Sequence, residues 1–363
     1  MELVMEDCQV KEIFDVFDCK GDFEQAIRLE SGHINNTYLI HTNGEDDYVL
    51  QKINHLVFKD IPGLINNKVT ISNHIRNELS HLPTEQIKRK VLTLVKVKNS
   101  EEFYYEEDGS YWNLMVYIKC SFTYEVVRNK EIAYEGGKLM GNFLNLTNDF
   151  DASTLTTTIP KFHDMSFRFS NYKYAIQSSK IERLRKASVH TDVIICRLKE
   201  EMHILQNLKE LGEIPLRVTH NDPKISNILF DELNKGLCII DTDTVMSGIV
   251  HYDFGDAIRT ICNTAKEDET DLSKVEFNLE YYKAYTKGFL SQMGDSLTPT
   301  EKKYLPLAAK TMIFIMGLRF LTDYLMNDVY YKTKYPEHNL DRARNQFKLI
   351  ESLEKQFDKM SVQ

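Results

Sequence analysis

Short runs of alternating hydrophobic and polar positions fill the first third of the chain. Residues 37–42 (TYLIHT), 47–53 (DYVLQKI), 90–97 (KVLTLVKV), 102–107 (EFYYEE) and 110–118 (SYWNLMVYI) read as strands, with turns at Asn43-Gly44 and Asp108-Gly109. Val69, Ile75 and Leu79 fall at helical spacing, which predicts one helix over residues 66–79 inserted among these strands. Beyond Ser121 the period changes: Ile132, Gly136, Leu139, Met140, Phe143 and Leu144 share one helical face, and most later segments repeat that period. Residues 342–357 form an amphipathic closing helix, and the apolar stretch 312–321, broken by Arg319, reads as a core helix rather than a membrane span. The expectation is an α+β fold in two lobes, an antiparallel sheet lobe over residues 1–118 and a larger, mostly helical lobe over residues 119–363. Ligands favour the cleft between two such lobes.

Composition narrows this only slightly. At 363 residues and 42% hydrophobic content the chain can bury a large core. A formal charge of −9 gives no electrostatic reason for a nucleic-acid partner. Cys8, Cys19, Cys120, Cys196, Cys238 and Cys262 show no metal-binding spacing and read as ordinary thiols of a reducing compartment. The acidic first residues lack the basic-then-apolar order of a secretory leader. A cytoplasmic, monomeric protein with no membrane or nucleic-acid partner is expected.

Candidate chemistry concentrates in Thr219-His220-Asn221-Asp222-Pro223-Lys224-Ile225-Ser226-Asn227, followed by a turn and the apolar strand Leu237-Cys238-Ile239-Ile240 that closes on Asp241. Phosphoryl transfer needs a carboxylate beside the attacking hydroxyl, oxygen ligands for magnesium and a cation near the γ-phosphate. Asp222 fits the base, Lys224 the cation, and Asn227 and Asp241 the metal ligands; Asp243, on the same side of an extended chain as Asp241, is a further ligand, direct or through water. A bare His-x-Asp is common, but Asn five residues later and then a strand ending on Asp restrict chance matches. His220 is expected to support the loop rather than do chemistry. Downstream, Asp253-Phe254-Gly255 spells a familiar magnesium motif, yet it follows the strand one loop too late. Asp253 and Asp256 are therefore expected to brace that loop or cap a helix starting near Ala257.

In the first lobe Gly32 and Asn35 lie where a phosphate-covering turn would be, and Leu50 and Lys52 lie one pleat apart on the next strand. Leu50 would cover adenine and Lys52 would reach the phosphates, although a solvated edge lysine is the alternative and Glu78 comes too late in the helix to be its partner. Met115 and Tyr117, at the lobe junction, would meet the adenine edge.

These motifs resemble the aminoglycoside-phosphotransferase-like kinases, and within them the N-acetylhexosamine 1-kinases. The resemblance runs through Gly32-His33-Ile34-Asn35, residues 48–54, Phe162-His163-Asp164, residues 214–229 and 239–246, Tyr252-Asp253-Phe254-Gly255-Asp256, Leu318-Arg319-Phe320-Leu321 and Thr333-Lys334-Tyr335-Pro336. It implies a protein-kinase-like bilobal fold, ATP and Mg2+ as cofactors, and phosphorylation of the anomeric hydroxyl of GlcNAc or GalNAc. It assigns sugar recognition to His33 and Arg319 beside Asp222, with an internal ion pair the alternative for Arg319. Rival expectations are a kinase of the same fold acting on choline, homoserine or an aminoglycoside, and a silent nucleotide-binding regulator.

Overall fold

The computed structural model describes residues 9–29 and 34–361. A short helix over residues 9–14 (α1) leads into five antiparallel strands, β1 (Phe23–Leu29), β2 (Asn36–Thr42), β3 (Tyr48–Ile53), β4 (Tyr104–Glu107) and β5 (Ser110–Val116), in the order β1-β2-β3-β5-β4. One face of the sheet is sealed by Val10, Ile13, Phe14 and Phe17 packing on Tyr38, Ile40, Tyr48, Leu50, Trp112 and Leu114. Strand alternation turns Val49, Gln51 and Met115 to the opposite face, where Val49 and Met115 join Leu92, Leu237 and Cys238 at the junction with the helical lobe.

Two strand assignments differ from the sequence pattern. Residues 90–97 form no ladder strand. The outer edge of β5 is already shared, with β4 pairing to residues 110–113, so this stretch makes only isolated bridges, Leu94 to Met115 and Val97 to Phe17. The fifth strand is instead β1, whose Glu24, Gln25 and Arg28 hide any alternation because it is an edge. The inserted helix α2 (Ile61–Glu78) begins earlier than its apolar spacing indicates, because Asp60 caps it by accepting from the Gly63 N–H and Pro62 sits in its first turn. A short helix α3 (Thr84–Lys90), with only Ile87 buried, follows it.

The helical lobe comprises α4 (Lys130–Leu146), α5 (Met165–Ser178), α6 (Ile181–Leu198), α7 (Ile204–Glu210), α8 (Val250–Ile261), α9 (Leu279–Met293), α10 (Pro299–Leu325) and α11 (His338–Glu354). Helices α4 and α9 pack backbone to backbone, since a Cβ on Gly137 would collide with the Tyr285 carbonyl oxygen and one on Gly288 with that of Tyr134. Helix α10 is long and apolar enough to cross a membrane by composition, yet it is buried in the lobe's core against α5, α8 and α11.

Candidate active site

Two small ladders hold the central loop. Strand β6 (Arg217–Thr219) pairs with β9 (Met246–Gly248), and β7 (Ile228–Phe230) pairs with β8 (Gly236–Ile239). Because Ile228 stands opposite Ile239, the residue before one strand and those after the other, Asn227 and Ile240-Asp241, come to the same end of the hairpin, and the Ile240 N–H donates to the Asn227 carbonyl over 2.9 Å. Asp241 adopts a left-handed backbone at φ 61°, which turns the chain out of the strand.

The loop is tied from several sides. Asp253 accepts from the backbone N–H groups of His220 and Asn221, each at 2.7 Å. Asn221, also at positive φ, donates its side-chain amide to Thr219 and to the Thr244 carbonyl. The His220 ring lies between the Asp222 N–H, 3.3 Å from Nδ1, and the Ile240 carbonyl, 3.0 Å from Nε2. Burial lowers its proton affinity, and these partners assign the neutral tautomer with hydrogen on Nε2. His163 reaches the Asn221 carbonyl from below, 3.2 Å from Nε2, with its ring packed between Phe162 and Tyr252. Asp253 therefore braces the loop that carries Asp222. It does so from within the first turn of α8, which starts at Val250 rather than near Ala257. Its own carboxyl is pushed up to about 7 by burial, against the two N–H bonds that favour the charge.

Asp222 emerges at the centre. Its Oδ2 takes Lys224 Nζ at 3.1 Å and Asn227 Nδ2 at 3.3 Å, and Oδ1 has no donor among the described residues. Burial alone would raise its pKa, but Lys224, His220 and Arg259 outweigh that and hold it below the ordinary carboxylate value. Lys224 is conversely raised: burial disfavours its charge, and Asp222 and Asp241 more than compensate. Asn227 spends its amide nitrogen on Asp222, which leaves its oxygen to offer a cation. The Asp241 carboxylate makes no hydrogen bond or ion pair among the described residues and is pushed up to about 6, by burial first and by Asp243 and Asp222 next. An amide oxygen and an unpaired carboxylate at one hairpin end form a donor set suited to a hard divalent cation.

Asp243 carries a protein donor on each oxygen, Lys68 Nζ on Oδ1 at 2.6 Å and on Oδ2 the amide of Asn35, whose Oδ1 accepts from the Asn54 N–H. Asn35 is thus brought to Asp243, two residues beyond Asp241. Gly32 and His33 lie outside the described residues. Leu50 and Lys52 are not brought to the cleft: Leu50 is buried beneath α1 and Lys52 lies over the Trp112 ring on that same outer face. The residues of β3 that face the helical lobe are Val49 and Gln51, and the cation beside them is Lys68 of α2, 3.4 Å from Gln51 Oε1. Met115 sits on the cleft face, and Tyr117 follows β5 at the lobe junction, its N–H donating to the Asp47 carbonyl.

Arg319 of α10 is surrounded by aromatic rings, with its guanidinium carbon 4.9 Å from the Phe162 ring centre, 5.5 Å from Tyr331 and 5.8 Å from Tyr330. Among the described residues it forms no ion pair, and its one hydrogen bond goes to Met316 sulfur. Burial disfavours its charge, but Tyr331, Tyr330, Asp256 and Asp222 more than offset this. Arg168 donates to the Phe162 carbonyl, and its pKa is pulled down to about 9 by burial and then by Arg319. Behind Asp222, Asp256 and Glu267 grip Arg259 at 2.7 and 2.6 Å. Sequence reasoning missed Lys68, Gln51 and His163; the Phe162-His163-Asp164 motif was the one available signal for the last.

A model of the phosphotransferase enzyme family matches residues 25–286. An ethanolamine kinase of Drosophila melanogaster is 25% identical over 116 residues, a match spanning 31% of this chain and 22% of that kinase. Among solved structures, a microcompartment-associated aminopropanol kinase has a TM-score of 0.59 at 14% identity, covering 98% of this chain and 99% of its own. A spectinomycin phosphotransferase in complex with ADP and its antibiotic has a TM-score of 0.59 at 12% identity, covering 97% and 98%. A choline kinase from Cryptosporidium parvum has a TM-score of 0.58 at 14% identity, covering 92% and 90%. These likenesses establish the bilobal kinase-like fold.

Proposed function

Because the chain belongs to the phosphotransferase enzyme family, we propose that it transfers the γ-phosphoryl group of ATP to the anomeric hydroxyl of an N-acetylhexosamine, with Asp222 as the base. The observation that carries this reading is the Asp222 carboxylate, with one oxygen fixed by Lys224 and Asn227 and the other without a donor among the described residues, together with Arg319, which feels the Asp222 charge and forms no ion pair among those residues. An anomeric hydroxyl is more acidic than an ordinary alcohol, so a carboxylate held below its usual pKa suffices to accept its proton. Lys224 sits where it can balance charge developing between donor and acceptor. Asn227 and Asp241 would hold magnesium, which supplies neutralisation of the phosphate oxygens when bound. Val49 and Met115 offer the apolar surface for adenine that Leu50 does not.

At the acceptor end, Phe162, Tyr330 and Tyr331 suit the apolar faces of a sugar ring, while the unspent N–H groups of Arg319 suit its hydroxyl and acetamido oxygens. Amino alcohols, the acceptors named for several relatives, are the second reading. Arg319 and Arg168 place positive charge where such an acceptor would carry its own, and this favours the neutral sugar. ADP release from ATP and Mg2+ in the presence of GlcNAc, GalNAc, choline, ethanolamine, homoserine and an aminoglycoside decides between them. Release with the two sugars is expected, and release confined to the amines would transfer the assignment to them.

A further inference from the structure

We infer that Lys68 of α2 is the positioning cation of the nucleotide site, relocated from the strand on which this fold ordinarily carries it; the inference rests on the ATP-dependent reading above. In kinase-type sites a lysine on the third strand pairs with a glutamate on the inserted helix, and that pair sets the phosphates. Here the partners have changed elements. The inward position of β3 is Gln51, which has no charge, and the only lysine of β3, Lys52, lies on the other face over Trp112. The helix contributes Lys68 instead of an acid. The carboxylate comes from Asp243, two residues beyond Asp241, and it meets Lys68 at 2.6 Å with both side chains almost wholly buried, at 1% and 2% exposure.

The placement joins four elements. Asn35 enters from the start of β2, Gln51 from β3, Lys68 from α2 and Asp243 from the segment after β8. On neighbouring β5, Asn113 pairs in register with Gln51 and is fully buried with neither amide atom hydrogen-bonded among the described residues, so the pocket has polar capacity left over. A buried pair at this junction fixes α2 against the segment carrying Asp241. With Asn35 it also gives each oxygen of Asp243 a protein donor, whereas the Asp241 carboxylate has none among the described residues. Asn67, one residue earlier, reinforces the same union by donating to the Val245 and Thr156 carbonyls at 2.9 and 2.7 Å. Lys68 thereby acts on nucleotide and metal through the geometry of its neighbours.

The test exchanges the charge between elements. Binding of Mg2+ with a non-hydrolysable ATP analogue is measured by calorimetry for the full chain and for Lys68→Gln, Gln51→Lys and the double variant, with a melting curve for each. Wild type is expected to bind, Lys68→Gln to lose about tenfold or more in affinity with a cooperative melt retained, and the double variant to return to within about threefold of wild type, a coupling that independent sites would not show. Undiminished affinity in Lys68→Gln, or a double variant no tighter than that single variant, overturns the inference. If Lys68→Gln does not fold, the double variant decides alone, and its failure to fold or to bind also overturns it. A wild-type chain that binds no nucleotide refutes the underlying kinase reading instead, so the two failures are distinguishable.

Discussion

Asp222 carries its role through its neighbours: one oxygen is held by Lys224 and Asn227, and its own N–H is held by a neutral His220. Asp222→Asn keeps the shape and removes the proposed base. Its kcat is expected to fall by about 10²–10⁴-fold while ATP affinity, read by calorimetry, stays within about twofold, because the base is not a nucleotide ligand in this arrangement. Arg319→Ala should do the reverse at the acceptor end, raising acceptor KM by about tenfold or more with the nucleotide constant unchanged. The spacing of Asp222, Asn227 and Asp241 was legible in the sequence, since a short hairpin admits few other arrangements. The side-chain parity of β3 was not. Both faces of that strand are covered, by α1 on one side and the helical lobe on the other, so Tyr48-Val49-Leu50-Gln51-Lys52 offers no hydrophobic alternation that says which face meets the nucleotide. Lys68, beside Asn66 and Asn67, reads as solvated helix surface until the tertiary structure gives it Asp243. A buried titratable group adds a pH prediction. His251 is fully buried with Nε2 3.0 Å from the Glu301 carbonyl, and burial pulls its pKa down to about 4. The folded state then binds this proton more weakly than the unfolded chain does. Its contribution is intact above about pH 6.5 and is lost toward pH 4, by up to about 1.4 kcal/mol per unit. Urea titrations at pH 7 and 5 should show a drop that His251→Gln reduces.

At the level of elements, α4 and α9 are joined by glycines that the sequence pattern marks only weakly. Gly136 falls on the apolar face of α4, yet the residues that let the backbones touch are Gly137 and Gly141 against Tyr285 and Phe289, with Gly288 answering against Tyr134. Alanine at 137 would gain up to about 1 kcal/mol in helix propensity. Overpacking against a carbonyl oxygen costs about 1–3 kcal/mol and cannot be relieved by a rotamer. Gly137→Ala is expected to be destabilised on balance in a urea titration, and a stabilised variant would show that these helices can part cheaply. Other element boundaries were hidden for local reasons. The cap Asp60 and Pro62 start α2 before its apolar rhythm begins, and β1 is a polar edge.

The molecule as a whole joins a sheet lobe and a helical lobe through Val49, Leu92, Met115, Leu237 and Cys238, and Asp222, Asn227, Asp241 and Arg319 all come from the helical lobe. The division into lobes was legible because the change from period 2 to period 3.6 is a property of the chain. The contacts that join them, Lys68 with Asp243 and Asn35 with Asp243, link residues 175 and 208 positions apart and leave no periodic trace. The proposed phosphoryl transfer to carbon 1 of an N-acetylhexosamine, with Asp222 as base, is read by phosphorus NMR of the product formed from ATP, Mg2+ and GlcNAc or GalNAc, with Asp222→Asn as the control. A new phosphate ester coupled to the anomeric proton is expected, absent in the control. A phosphate on any other carbon, or the same product formed at undiminished rate by Asp222→Asn, would contradict it.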